Sequence, residues 1–185
     1  MAPAGDSAVI AGIDNLTLNG DAPAGKKVIG RWEMQLGDVT PHNVLQLKKL
    51  NQAVFPVSYN DKFYKEVVTA GELARLAYFN DVVVGAVCCR FGTYDGVRAL
   101  YIMTLGTLAP YRRLGVGKLL LEHVFTLCKN DPTIQAVFLH VQVSNETAVN
   151  FYKRYGFETT GVAEHYYKRI DPDNAFILVK KINQQ

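Results

Sequence analysis

Hydrophobic positions in this chain fall in short runs whose period switches between two and three to four residues. Trp32, Met34 and Leu36 alternate with polar residues and predict a first strand over 31–36. Thr40-Pro41 then supplies a hydroxyl N-cap and a proline for the first helical position. Val44, Leu47, Leu50 and Val54 step along one face of the helix that follows, which must end before Pro56. A rigid apolar loop, 55–60, leads to a short helix over 61–69. Two strand-like runs, 73–79 and 82–90, flank the hairpin signal Asn80-Asp81. A turn over 92–96 precedes a strand over 100–107. Leu120, Leu121, Val124, Leu127 and Cys128 then recur at helical spacing up to Asn130, and Asp131-Pro132 breaks the pattern. A strand over 136–143 and a helix over 146–155 follow, with Gly156 at C′. A strand over 157–162, a polar and aromatic loop over 164–174 and a last strand over 175–181 complete the order β-α-α-β-β-β-α-β-α-β-β. This predicts an α/β fold, a mixed sheet with helices on both faces.

Composition narrows the class. The 185 residues suffice for one domain with a real core, and a net charge of +3 with pI near 8.7 is too mild to argue for nucleic acid. No apolar run is long enough to span a membrane, and no charged start followed by a long apolar run suggests a secretory signal. Cys88, Cys89 and Cys128 lie in apolar runs and read as reduced core thiols of a cytosolic or nuclear protein. Residues 1–30, rich in Gly, Ala, Asp and Asn without sustained periodicity, read as a flexible extension outside the fold.

The chemistry gathers at the strand-to-helix corner. There Arg112-x-x-Gly115-x-Gly117 opens the long helix, so unpaired N–H groups and the positive helix end coincide with residues lacking a Cβ. Such a corner is either a helix-capping turn or an anion site suited to a pyrophosphate. A P-loop would require glycine at Arg112 and Ser or Thr at Leu119, and a dinucleotide fingerprint would require Gly or Ala at Leu120.

The remaining pattern resembles the R/Q-x-x-G-x-G/A acetyl-CoA motif of the GCN5-related N-acetyltransferases (GNAT). A second stretch, Asn145-x-x-Ala148-x-x-x-Tyr152-x-x-x-Gly156-Phe157, is similar to a further signature of that family. The segments 36–43, 55–62, 101–106 and 166–170 narrow the resemblance to the protein N-terminal acetyltransferases of the NatE type. The resemblance implies the GNAT fold over 31–185: a central mixed, mostly antiparallel twisted sheet of about seven strands flanked by about four helices. It implies acetyl-CoA as co-substrate, held by Leu105, Thr107, Arg112, Arg113, Leu114, Gly115, Val116, Gly117, Lys118, Asn145 and Tyr152, and no metal. The acceptor implied is the α-amine of proteins beginning with Met and a hydrophobic residue. Phe55, Pro56, Val57, Tyr59, Met103, Tyr166, Tyr167, Lys168 and Arg169 would bind it. It also implies partnership with the NatA catalytic and auxiliary subunits at ribosomes, a link to sister-chromatid cohesion, location in cytoplasm and nucleus, and no direct contact with nucleic acid or membrane.

On residues alone, His140, mid-strand in Phe138-Leu139-His140-Val141, reads as a hydrogen-bonded core histidine. The resemblance makes it the general base, with Tyr101 ordering water or passing protons on. An α-amine titrates near pH ~8, against ~10.4 for a lysine, so a modest base such as imidazole, with pKa about 6.5, suffices. Strand alternation places Tyr101, Met103 and Leu105 on one face. The resemblance implies a bulge near Leu105, whose backbone N–H groups would meet the oxyanion. Cys88 and Cys89 point to opposite faces, and no metal cluster or Ser-His-Asp order stands out, which favours direct transfer in a ternary complex. A lysine acetyltransferase and a non-catalytic acetyl-CoA-binding subunit are the alternatives.

Overall fold

The computed structural model describes residues 33–182; the expected extension over 1–30 and the strand residues Arg31 and Trp32 lie outside them. Seven strands and four α-helices follow in the predicted order. The strands are β1 (Met34–Asp38), β2 (Ala74–Phe79), β3 (Val82–Tyr94), β4 (Val97–Thr107), β5 (Ala136–Gln142), β6 (Glu158–Ala163) and β7 (Ala175–Lys181). The helices are α1 (Val44–Val54), α2 (Asp61–Val68), α3 (Val116–Asn130) and α4 (Glu146–Arg154). One sheet runs β1-β2-β3-β4-β5-β7-β6. Its described neighbours are antiparallel except β4 and β5, which are parallel.

Two apolar cores, one on each face, hold the helices. Leu120, Leu121 and Val124 of α3 and Ala148, Phe151 and Tyr152 of α4 pack with Leu100, Ile102 and Val137. Leu47, Leu50 and Val54 of α1 and Phe63 and Val67 of α2 pack opposite them, with Ala86, Cys88, Tyr101 and Met103. Cys88 and Cys89 thus enter opposite cores, and all three cysteines are free and buried.

Two local expectations change. The cap of α1 is Asn43, not Thr40. Asn43 reaches back, accepting from the Thr40 N–H at 2.7 Å and donating to the Asp38 carbonyl at 2.8 Å, so Thr40-Pro41 forms a turn ahead of the helix. Strand β3 also runs past the expected turn to Tyr94, because Gly92, Thr93 and Tyr94 pair with Ala99, Arg98 and Val97. The reversal is confined to Asp95 and Gly96, both at positive φ, as are Asn80 and Asp81 in the β2–β3 hairpin.

Candidate active site

Strands β4 and β5 pair only through Ala99–Ala136, Leu100–Val137 and Tyr101–Phe138. Beyond that register β4 continues to Thr107 and β5 to Gln142, each still paired on its far side. The facing edges therefore part just past Tyr101, leaving β4 backbone groups without a strand partner on that side. This opening in the middle of the sheet organises the site.

A β-bulge shapes its wall. Cys88 pairs with Thr104 and Cys89 with Ile102, so Met103 is the extra residue on β4. The bulge shifts the alternation. Tyr101 and Met103 share the α1/α2 core, whereas Leu105 enters the opposite one. The expectation that all three share a face fails for Leu105, while the bulge expected near Leu105 is centred on Met103, two residues before it.

At the end of β4 the chain turns through Ala109–Tyr111, one 3-10 turn, into α3. Gly115 caps α3 at φ +93°, a conformation that costs glycine little. The first intrahelical bond runs from the Leu119 N–H to the Gly115 carbonyl at 3.0 Å. The N–H groups of Val116, Gly117 and Lys118 consequently have no acceptor within the helix. The first turn of α3 carries no acidic residue to offset the dipole. Arg113 sits at φ +66°, and Arg113 and Leu114 are exposed. The Arg112 guanidinium donates from Nε to the Thr107 carbonyl at 3.3 Å, tying the loop to the strand, and Lys118 lies 3.6 Å from Glu122. Gly85 lets this helix start approach the sheet, since a Cβ there would fall 2.8 Å from Val116 Cγ1.

Beside the opening lies an aromatic cluster. His140, half-buried on β5, has Nδ1 3.2 Å from the Tyr101 hydroxyl. The Tyr101 and Tyr166 hydroxyls are 2.7 Å apart. The Tyr166 ring stacks on the imidazole, with centroids 4.2 Å apart and planes at 10°. Burial lowers the His140 pKa to about 4, below the ordinary value expected from sequence, so the ring is neutral at pH 7. Burial, with Tyr166 beside it, holds the Tyr101 hydroxyl well above the usual tyrosine range. Two further neighbours of Tyr101 escape a reading of sequence alone. Phe138, 4.9 Å from its ring, is two residues before His140 on the same strand, so alternation was a usable signal. The Arg90 guanidinium stands 5.1 Å over the Tyr101 ring, visible only once the β3–β4 register is known.

Of the residues expected to line the peptide groove, Phe55, Val57, Tyr59, Met103 and Tyr167 pack in the same apolar cluster as Tyr101 and Tyr166. Gly106 is hydrogen-only at Cα where a Cβ would sit 2.8 Å from Phe55 Cζ, which lets the Phe55 ring lie against β4. Phe55 is buried, Val57 and Tyr59 are half-buried, and Pro56 is exposed. Tyr59 packs edge-on to Phe55 and tilted against Phe63. The loop over 164–174 brings Tyr166 in and is held by Gln142 Nε2 donating to the Pro172 carbonyl at 2.8 Å and the Tyr167 N–H to the Asp173 carbonyl at 2.9 Å. Tyr167 is 2% exposed, and burial pushes its hydroxyl above the usual tyrosine range. It packs in the same cluster as Tyr101 and Met103, while Lys168 and Arg169 are exposed.

Asn145 caps α4, its Oδ1 accepting from the Ala148 N–H at 3.1 Å. Tyr152 is fully buried, and its hydroxyl has no hydrogen-bond partner among the described residues. An orphaned buried hydroxyl is costly unless a ligand atom meets it.

Comparison with known proteins gives this geometry its family. Residues 44–157 match the acetyltransferase (GNAT) family. The chain is 58% identical over 152 residues to N-alpha-acetyltransferase 50 of Danio rerio, covering 82% of this chain and 90% of that one. It is 56% identical over 154 residues to the probable N-acetyltransferase san of Drosophila melanogaster, covering 83% and 84%. Among solved structures it resembles Arabidopsis thaliana Naa50 in complex with the bisubstrate analogue CoA-Ac-MVNAL, with TM-score 0.75 and 45% identity over 80% of this chain and 99% of that one. The chain belongs to the GNAT acetyltransferase family, within its protein N-alpha-acetyltransferase branch.

Proposed function

We propose that this protein moves the acetyl group of acetyl-CoA directly to the α-amine of chains beginning with Met and a hydrophobic residue. The observation that carries this reading is the His140–Tyr101 pair, set where β4 and β5 part and beside the apolar cluster that holds Phe55, Val57 and Tyr59. The plant relative's bisubstrate analogue, which joins CoA to a peptide beginning Met-Val, supports the same choice of acceptor.

Acetyl-CoA supplies the thioester, and the chain has features that fit it. The N–H groups opening α3, with Arg112, Arg113 and Lys118 nearby, suit a diphosphate. The buried Tyr152 hydroxyl offers a donor for the thioester end. Backbone N–H groups of β4 along the opening, near the Met103 bulge, suit the developing oxyanion. Phe55, Val57, Tyr59 and Met103 would enclose a methionine thioether, a burial worth a few kcal/mol on the scale of ~1.5–3 kcal/mol per large apolar side chain.

At neutral pH about a tenth of α-amines with pKa near 8 are already unprotonated, so attack needs no strong base. Neutral His140 receives, through Tyr101, the proton shed as the C–N bond forms. An acyl-cysteine route is disfavoured: burial pushes the Cys88 thiol up to about 12 and Cys128 to about 11.

Association with NatA catalytic and auxiliary subunits at ribosomes, and residence in cytoplasm and nucleus, belong to the same proposal and rest on likeness to the N-alpha-acetyltransferase 50 relatives. Co-purification of tagged protein with ribosomes tests that part. The activity is tested with four peptides: Met-Leu start, Ala start, acidic start, and a blocked start with an internal lysine. Strong preference for Met-Leu is expected; equal rates on the blocked peptide would favour lysine acetylation instead.

A further inference from the structure

We infer that Tyr166 is itself a catalytic residue, the entry of a proton relay that runs from the substrate amine through Tyr166 and Tyr101 to His140. This rests on the acetyl transfer proposed above. Three geometric facts carry it. The Tyr166 hydroxyl lies 2.7 Å from that of Tyr101, which lies 3.2 Å from His140 Nδ1, so three titratable groups form one continuous hydrogen-bonded line. The line runs from a half-buried residue on the groove loop to a nearly fully buried one, Tyr101 at 3% exposure, and on to the imidazole. The Tyr166 ring also stacks in parallel on the imidazole at 4.2 Å, which fixes both ends of the line in one rigid unit.

Each phenol has a single hydrogen to give, so the line conducts in one direction at a time. With His140 neutral and Nδ1 accepting, Tyr101 donates to His140 and Tyr166 donates to Tyr101. The Tyr166 oxygen, as a hydroxyl with two lone pairs, can then accept a further hydrogen. When the amine attacks the thioester carbon, the C–N bond forms and the nitrogen becomes acidic. Its N–H bond breaks as a new Tyr166 O–H forms. The former Tyr166 hydrogen passes to Tyr101, and that of Tyr101 passes to Nδ1. The C–S bond breaks with its electron pair on sulfur, and the proton held by the imidazolium is released to solvent or to that thiolate. The products are the amide and the free thiol, and no other reactant is needed. Burial of His140 favours the neutral ring, which keeps Nδ1 an open acceptor between turnovers. The stacked Tyr166 face then receives the transient imidazolium by cation–π attraction.

The test compares wild type, Tyr166→Phe, Tyr101→Phe and the double variant on a Met-Leu peptide at saturating acetyl-CoA. It reads kcat, KM and the solvent deuterium isotope effect, with 15N NMR of the His140 imidazole in the peptide-free protein. Tyr166→Phe keeps the ring stack and removes only the hydroxyl. A role limited to holding peptide would raise KM and leave kcat. The relay predicts that kcat falls at least ~10-fold. It also predicts that the isotope effect changes from several protons in flight to one, and that the double variant is no slower than the slower single one, as expected of members in series. NMR should report the Nε2–H tautomer. Active wild type with Tyr166→Phe kcat within about twofold and an unchanged isotope effect, or a resting Nδ1–H tautomer, overturns the relay alone. An inactive wild type overturns the acceptor reading and the relay with it.

Discussion

Burial decides the protonation state of His140, and with it the way this side chain serves. Its pKa in the fold, about 4, lies below the ordinary value of about 6.5. Between those values the unfolded chain binds the proton and the folded one does not, so stability rises with pH across that window and is lost as pH falls through it. Replacing His140 with Phe should flatten the pH dependence of the melting temperature between about 6.5 and 4. A melt series in buffers of that range checks this, and an unchanged slope would mean that the imidazole is not desolvated. In turnover, His140→Ala should lower kcat by roughly a hundredfold while acetyl-CoA affinity holds. Steady-state kinetics with calorimetric titration separates the two, and unchanged kcat would remove His140 from the mechanism. The acid limb of wild-type kcat/KM should follow the α-amine, near pH ~8, rather than the histidine.

At the scale of elements, two junctions make the site: the corner from β4 to α3 and the parting of β4 from β5. The corner was legible in sequence, because Gly115, Gly117 and the helical period of α3 are local signals. Substituting Gly117 with Trp, at the partly exposed start of α3, should fill the phosphate approach and abolish acetyl-CoA binding. Calorimetric titration of a variant with a wild-type melt is the check, and normal affinity would contradict the cradle. The bulge was expected only through the resemblance, and its position at Met103 was not legible in the residues themselves. Every residue from Ala99 to Thr107 is buried, so β4 carries no polar alternation from which a one-residue shift could be read. Leu105 was assigned to the wrong face for that reason. The cap of α1 was missed differently. Thr40 and Asn43 are both residue types that cap well, and Asn43 holds the position with its side chain turned back to the Thr40 N–H and the Asp38 carbonyl rather than onto the helix.

At the scale of the whole molecule, the order of elements was readable because each helix buries one stripe and each hairpin carries its own turn residues. The site was readable only in part, since its residues come from separate segments and their properties are made by the neighbours. Tyr101, Met103, His140 and Tyr166 meet in one place. Tyr167 is buried in the core beside Tyr101, and Asn145 caps α4 at the far end of β5. Sequence separation of 26 to 65 residues joins the relay members, a topology only the sheet order supplies. The account as a whole claims that this scaffold delivers an acetyl group to a chain terminus. The most direct measurement offers the enzyme one peptide with a free Met-Leu start and an internal lysine, then locates the added acetyl group by fragment mass spectrometry. The account predicts acetyl on the α-nitrogen with the lysine unmodified; acetyl chiefly on the lysine would contradict it.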